Sequence, residues 1–250
     1  MKIAAWNLNH RAGSTFTGYF PEAATAVGSL PVDVIVLTEY FPKNGRGDFV
    51  PELHDAFVTT LDKCGFFCHL VSAKTGEKAN RVLIAAKEHF EPDPLPMPDF
   101  DQQFPANVLA VRFPSSGIRL VGVRVPYYTA KKQQQEIDDA WTWLEKTAQS
   151  LVGTPAVIIG DLNVGLKSHA PRGGDHFRRI LASGWTRAQP TSGASFFGKD
   201  VSTEIDHALC SPALEFRSAQ YESATDNAVF AGADNALSDH AVLVVNAERL

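Results

Sequence analysis

The stretch Pro155-Ala156-Val157-Ile158-Ile159-Gly160-Asp161-Leu162-Asn163 constrains this chain more than any other. A short apolar run rich in β-branched residues reads as a buried strand. This one stops on Gly160, and an acid and an amide follow at once. Charge is costly inside a buried strand, so Asp161 and Asn163 are expected in the loop just past the strand's carboxyl end, where α/β structures bind ligands. Gly-Asp is also ordinary turn chemistry. The weight comes from recurrence.

The same grammar appears twice more, and two further acid-histidine pairs stand in or beside apolar strands. The apolar start of the chain runs into Asn7-Leu8-Asn9-His10, and a second apolar run at 32–37 leads into Thr38-Glu39-Tyr40. A strand over 204–210 carries Ile205-Asp206-His207, and Ser238-Asp239-His240 precedes a last apolar strand over 241–245. Between these runs lie helical patterns at 22–30, 51–63, 131–151 and 175–183. Trp141, Leu144 and Ala148 recur at helical spacing and are expected in the core. Strand pairs are expected at 66–72 with 81–86, joined by a turn at 74–77, and at 108–113 with 118–125; residues 91–105 read as irregular connection. No linker or short-period repeat divides the chain. One domain over residues 1–250 fits this alternation: an α/β fold of two packed sheets with helices outside.

Composition narrows the function classes. With 250 residues and 44% hydrophobic content, the chain can bury a sizeable core. No apolar run approaches the ~18 residues of a membrane span, and the first residues read into a strand rather than a secretory signal, so a cytoplasmic location is expected. The three cysteines, Cys64, Cys68 and Cys210, form no disulfide framework and lack the second Cys/His cluster that a zinc finger requires. A net charge of −5 argues against coating nucleic acid with the whole surface, and leaves room for a local basic rim around an acidic centre.

Collected, the polar residues at strand boundaries are Asn7, Asn9, Glu39, Asp161, Asn163, Asp206, Asp239 and His240. The set is rich in oxygen and has no thiolate, which suits Mg²⁺, Mn²⁺ or Ca²⁺ rather than zinc. Mg²⁺ uses one or two carboxylates and leaves other positions to water and phosphate. That is a kit for phosphoester hydrolysis. A carboxylate beside a histidine fixes the imidazole tautomer and raises its basicity. His207 reads as a structural neighbour.

In kind, order and spacing these pieces resemble the endonuclease/exonuclease/phosphatase superfamily, with its deoxyribonuclease I and exonuclease III-type members. The matches are Trp6-Asn7-Leu8-Asn9, Leu37-Thr38-Glu39, Gly160-Asp161-Leu162-Asn163, Ile205-Asp206-His207 and Ser238-Asp239-His240. The resemblance implies a four-layered α/β/β/α sandwich with its site at one end of two packed mixed sheets, and Mg²⁺ or Mn²⁺ as cofactor. Glu39 would be the principal metal ligand, with Asn9 and Asp239. Asn7 would position Glu39 or a water on the metal, and Asp161 would orient or deprotonate the attacking water. Asn163 would hold a phosphate oxygen. His240 would contact the scissile phosphate or act as base, oriented by Asp206.

The chain also departs from the family. Repair members carry Tyr-Val-Pro-Asn after the central strand, where Arg124-Val125-Pro126-Tyr127 stands here, and Ser202-Thr203-Glu204 replaces their aromatic-Arg lead into Ile205-Asp206. Arg124 could bind a phosphate oxygen or end a strand in a salt bridge; Tyr127 and Tyr128 could stack on a base or pack under the loop. Arg11, Lys43, Arg46, Lys131, Arg172, Arg178 and Arg179 are candidates for a basic rim. The expected function is metal-dependent phosphodiester hydrolysis with DNA or RNA as substrate. Two alternatives are a phosphatase or phosphodiesterase on a small or lipid-linked phosphoester, and a non-catalytic binding module.

Overall fold

Each sheet of this protein grows from one parallel strand pair joined by a helix. The computed structural model describes residues 1–9, 19–42, 49–72, 80–97, 107–127, 134–167, 173–191 and 193–250. The first half runs β1 (Lys2–Asn7), α1 (Tyr19–Gly28), β2 (Val34–Tyr40), α2 (Pro51–Lys63), β3 (Cys68–Val71), β4 (Arg81–Ala86), β5 (Glu91–Pro92), β6 (Val108–Arg112) and β7 (Arg119–Arg124). The second half runs α3 (Gln134–Leu151), β8 (Ala156–Asp161), α4 (Gly174–Ala182), β9 (Thr186–Arg187), β10 (Phe196–Phe197), β11 (Ser202–Thr203), β12 (Asp206–Cys210), β13 (Leu214–Glu222), β14 (Ala224–Thr225), β15 (Ala228–Val229) and β16 (Val242–Arg249).

The first six-stranded sheet has the order β13-β16-β1-β2-β4-β3, and the second has β5-β6-β7-β8-β12-β9. Among the described residues only β1 with β2, and β7 with β8, pair in parallel. Each of these pairs is flanked by antiparallel strands, β16 and β4 in one sheet and β6 and β12 in the other. The chain has therefore made the same core of four strands twice. Parallel neighbours need a crossover, and α1 and α3 supply it.

Alternation along the strands sorts the side chains into three apolar layers. Ile3, Ala5, Val34, Val36, Val157 and Ile159 face between the sheets. Ala4, Trp6, Ile35 and Leu37 face α1 and α2, while Val121, Val123, Ala156 and Ile158 face α3 and α4. The result is the α/β/β/α sandwich. The expected tryptophan core holds, with Trp141 and Trp143 buried under α3. Cys64 and Cys68 are partly buried and contribute to different apolar layers. Among the described residues no helix is long and apolar enough to cross a membrane.

The structure differs from the sequence expectation in several places, the unexpected two-residue strands β9, β10, β11, β14 and β15 among them. Asp161 is not in a loop: it is the last residue of β8 and is buried, in register with Arg124 on one side and Asp206 on the other. Charge is tolerated there because polar partners surround it. The nine-residue edge strand β13 falls in a stretch where no element was expected. The segment read as irregular opens with β5, which pairs with β6. The expected turn at 74–77 and residues 131–133 of the expected helix lie outside the described residues.

The two sheets approach closely at Gly122. A Cβ at that position would lie 2.7 Å from Val36 Cγ1 and 3.0 Å from Val82 Cγ1, both on the facing sheet. Overpacking of this kind costs roughly 1–3 kcal/mol. Gly122→Ala is expected to destabilise the protein by about that amount in urea denaturation. Combination with Val36→Ala should recover part of the loss. Strictly additive effects of the two changes would refute the close approach.

Candidate active site

Where the parallel strands end, the layer between the sheets turns from apolar to ionic. Asn7 follows Ile3 and Ala5 on the inward face of β1, Arg124 follows Leu120 and Gly122 on β7, and Asp161 follows Val157 and Ile159 on β8. Asp206 sits on β12, inward like Ala208 and Cys210. All four positions keep the strict alternation of their strands.

Glu39 does not. By parity it would face the helices, as Ile35 and Leu37 do. The register of β2 on β4 slips between Leu37 and Tyr40, so three steps on β2 match two on β4. One extra residue in a strand is a β-bulge, which re-aims a side chain. Glu39 carries the conformational cost with φ at 52°, and its carboxylate is turned back into the layer between the sheets. Nothing in the run Val34-Ile35-Val36-Leu37 signals this bulge.

Asn9 and Asn163 also adopt positive φ, at 49° and 51°. These three are the non-glycine residues with left-handed backbone among the described residues, and all three line one cleft. Asparagine tolerates this conformation because its side chain bonds locally. The Asn9 N–H donates to Asn7 Oδ1 at 2.8 Å, and the Asn163 N–H to Asp161 Oδ1 at 2.9 Å. Two strand ends therefore share one Asx turn design. Strain of this kind gathers at functional sites.

The cleft has a volume of ≈ 560 Å³. Asn7, Asn9, Glu39, Asp161, Asn163 and Asp239 supply its oxygen-bearing side, and Arg124, Tyr127 and His240 also line it. Asp206 stands behind His240, whose Nδ1–H donates to Asp206 Oδ2 at 2.8 Å. Every singled-out residue from the sequence is thus brought to one place. The rim candidates fare differently. Arg178 and Arg179 are ion-paired on α4 with Asp175 and Glu145 and do not line the cleft. Arg11, Lys43, Arg46, Tyr128, Lys131 and Arg172 lie outside the described residues. Sequence reasoning missed Phe196, whose ring lies 5.2 Å from that of His240, and Val201, which lines the cleft.

Asp161 is held by three donors. Asn7 Nδ2 reaches its Oδ2 at 2.8 Å, and Asn163 contributes Nδ2 at 2.9 Å besides its backbone N–H. Burial, and after it the Asp206 carboxylate, nevertheless push the Asp161 carboxyl well above the usual aspartate range. Burial alone would lower the His240 ring. The Asp206 charge and its hydrogen bond outweigh that, pushing His240 up to about 9. In this state the ring is an imidazolium at neutral pH. Glu39 takes its charge partner from the other sheet, Arg124 Nε at 2.7 Å.

His207 has turned away from this chemistry. Its ring lies on the helix side of β12, 5.1 Å from Phe177, and its Nε2–H donates to the Val164 carbonyl at 2.7 Å. Burial lowers it to about 4.

Among the described residues no group of three or more His, Cys, Asp or Glu side chains is arranged to hold a metal ion. The oxygen donors lining the cleft are the carboxylates of Glu39, Asp161 and Asp239 and the amides of Asn7, Asn9 and Asn163, and of these Glu39, Asp239 and Asn9 are the set that the sequence offers as metal ligands. That composition fits Mg²⁺ or Mn²⁺, which take one or two carboxylates and complete their shells with water and phosphate oxygen. It does not fit a metal that needs an all-protein cage.

The fold and cleft have counterparts among known proteins. Residues 4–240 match the Endonuclease/Exonuclease/phosphatase family, and the chain belongs to it. Members of this family are phosphoesterase hydrolases that generally use divalent metals. The chain is similar to a 3′-5′ exonuclease, NExo, from Neisseria meningitidis, at 18% identity and a TM-score of 0.67, covering 98% of this chain and 99% of that one. It is similar to the 3′ phosphatase NExo from Neisseria bound to product DNA hairpin, at 19% identity and a TM-score of 0.69 over 99% of both chains. An AP endonuclease from Archaeoglobus fulgidus is 20% identical, with a TM-score of 0.66 over 98% of each chain. A search of curated protein sequences gives no significant match.

The His207 environment sets one pH dependence. The ring takes a proton near pH 6.5 when unfolded and only near pH 4 when folded. The unfolded state thus binds more protons across that window, and stability falls as pH drops from 6.5 towards 4, by up to about 3 kcal/mol. Denaturation midpoints of wild type and His207→Gln, compared at pH 7 and pH 5, test this. The variant should lose less on acidification; parallel losses would rule out the assignment.

Proposed function

We propose that this protein is a Mg²⁺- or Mn²⁺-dependent nuclease that hydrolyses phosphodiester bonds of DNA or RNA by attack of water. One observation carries the reading: a buried aspartate with a raised pKa, an imidazolium and a guanidinium line one cleft with a set of oxygen donors. Asn9, Glu39 and Asp239 would hold the divalent ion. When bound, it neutralises negative charge on the phosphoryl oxygens.

The remaining roles belong to the chain's own groups. Asp161, oriented by Asn7 and Asn163, accepts the proton of the attacking water, for which a carboxyl raised towards neutrality is suited. His240 is already protonated, so it serves better as a donor to a phosphate oxygen than as the base. Its Nε2 sits 3.7 Å from Asp239 Oδ1, and Asp206 orients the ring from the other side. Asn163 and Arg124 offer further donors to phosphate oxygens. The exposed Tyr127 ring on the cleft wall gives a base a surface to stack on. The similar Neisseria structure with a bound DNA hairpin adds support for a polynucleotide substrate.

A second reading is a phosphatase or phosphodiesterase on a small or lipid-linked ester. The net charge of −5 and the ion-paired state of Arg178 and Arg179 favour it. Salt separates the two, since polynucleotide binding weakens steeply through counterion release and small-ester binding does not.

Hydrolysis of single- and double-stranded DNA, RNA and small phosphomono- and diesters, with Mg²⁺, Mn²⁺ or EDTA, tests the proposal directly. Metal-dependent polynucleotide cleavage is expected, and release from small esters alone would replace the nuclease by the second reading. Asp161→Asn and His240→Ala should each lower turnover by roughly 10² or more; near-normal rates in folded variants would remove them from the mechanism. Glu39→Gln should raise the metal concentration needed for half-maximal rate, and an unchanged metal titration would exclude it as a ligand.

A further inference from the structure

The Arg124 side chain makes one hydrogen bond among the described residues, from Nε to Glu39 Oε1 at 2.7 Å. The pair is well shielded, with side chains 16% and 7% exposed, and it spans the two sheets from the end of β7 to the bulge of β2. The guanidinium is a flat fork. With its Nε edge on Glu39, the two Nη groups remain, and the residue lines the cleft.

A carboxylate as buried as Glu39 requires a cation beside it. Arg124 meets that requirement from within the chain. The proposed function assigns the same carboxylate to the divalent ion, so two cations claim one ligand. Resting on that reading of the site, we infer that Arg124 is the resident counter-ion of Glu39, which keeps the carboxylate charged and aimed while the metal is absent, and sets the metal affinity by competing with it. The Nη edge then serves the phosphate. Two parallel N–H donors match two phosphate oxygens, and the negative charge of substrate offsets the guanidinium that opposes the metal. Metal affinity and substrate recognition are thereby linked through one side chain.

The test reads Mn²⁺ binding to the whole protein without substrate, by electron paramagnetic resonance of the free ion at pH 8. Arg124→Met removes the charge and keeps an apolar stem. It is expected to bind Mn²⁺ roughly tenfold more tightly than wild type, because a like charge next to the ligand is gone. Without metal it should melt at a lower temperature, and Mn²⁺ should raise its melting temperature by more than it raises that of wild type. Arg124→Lys keeps the charge and should stay near wild-type Mn²⁺ affinity, yet hydrolyse more slowly for want of the fork. If the methionine variant does not fold, Arg124→Gln gives the same comparison. Unchanged or weaker Mn²⁺ binding in the folded neutral variant overturns the inference. Loss of the proposed function would show separately, as wild-type protein that hydrolyses no phosphoester with metal.

Discussion

The hydrogen bond from Asn7 Nδ2 to Asp161 Oδ2 joins the two sheets at the point where their parallel strands finish, and the site is arranged about it. Asn7 ends β1 and Asp161 ends β8, so the contact requires both sheets to stop at the same height. The duplicated four-strand core makes that possible. Each half delivers the carboxyl ends of one parallel pair, β1 with β2 and β7 with β8. Open α/β sheets bind ligands at such ends; here two of them face each other. A second tie pins the closing strand to the same place: Ser238 Oγ donates to the Asn7 carbonyl at 2.7 Å, and Trp6 Nε1 to the His240 carbonyl at 2.8 Å. The motif near the end of the chain is thereby anchored to the first strand.

Buried charge in this layer is organised in crossing pairs. Glu39 on one sheet is matched by Arg124 on the other, and His240 beside β16 by Asp206 on β12. Pairs of this kind contribute little net stability against an apolar core, yet removing one partner strands a charge. Asp161 is the exception. It stands beside Asp206 with amides rather than a dedicated cation, and burial, followed by the Asp206 charge, raises its carboxyl to about 7. The arrangement trades an evenly neutralised core for one carboxyl that can still exchange a proton.

Much of this was legible in the sequence because the chain states each strand end in the same way. The runs before Asn7, Glu39 and Asp161 are short and apolar, the latter two also rich in β-branched residues, and the polar residues after them stand out at once. The family resemblance, the layered fold and the gathering of the singled-out residues all trace to that pattern. What stayed hidden depended on partners distant in sequence. A buried acid looks forbidden until Asn7, 154 residues away, is known to bond it, so Asp161 was expected outside its strand. The bulge at Glu39 has no local signal, since its cause is the register against β4. Strand β13 escaped because the bulge between Phe216 and Ser218 breaks its alternation: Leu214 and Phe216 cover the inter-sheet layer before it, Ala219 and Tyr221 after it.

The left-handed backbone at Asn9, Glu39 and Asn163 sets stability against function unevenly among the three. At positions 9 and 163 the residue that the backbone favours is also the one to which the proposed function gives a role, so the two demands agree. Position 39 divides them. Glycine or asparagine there would relax the chain, while only the carboxylate faces the cleft with a full negative charge. A population of variants sorted for thermal endurance alone would drift away from glutamate at this one place. Such drift would mark position 39 as a residue kept for its chemistry and not for the fold.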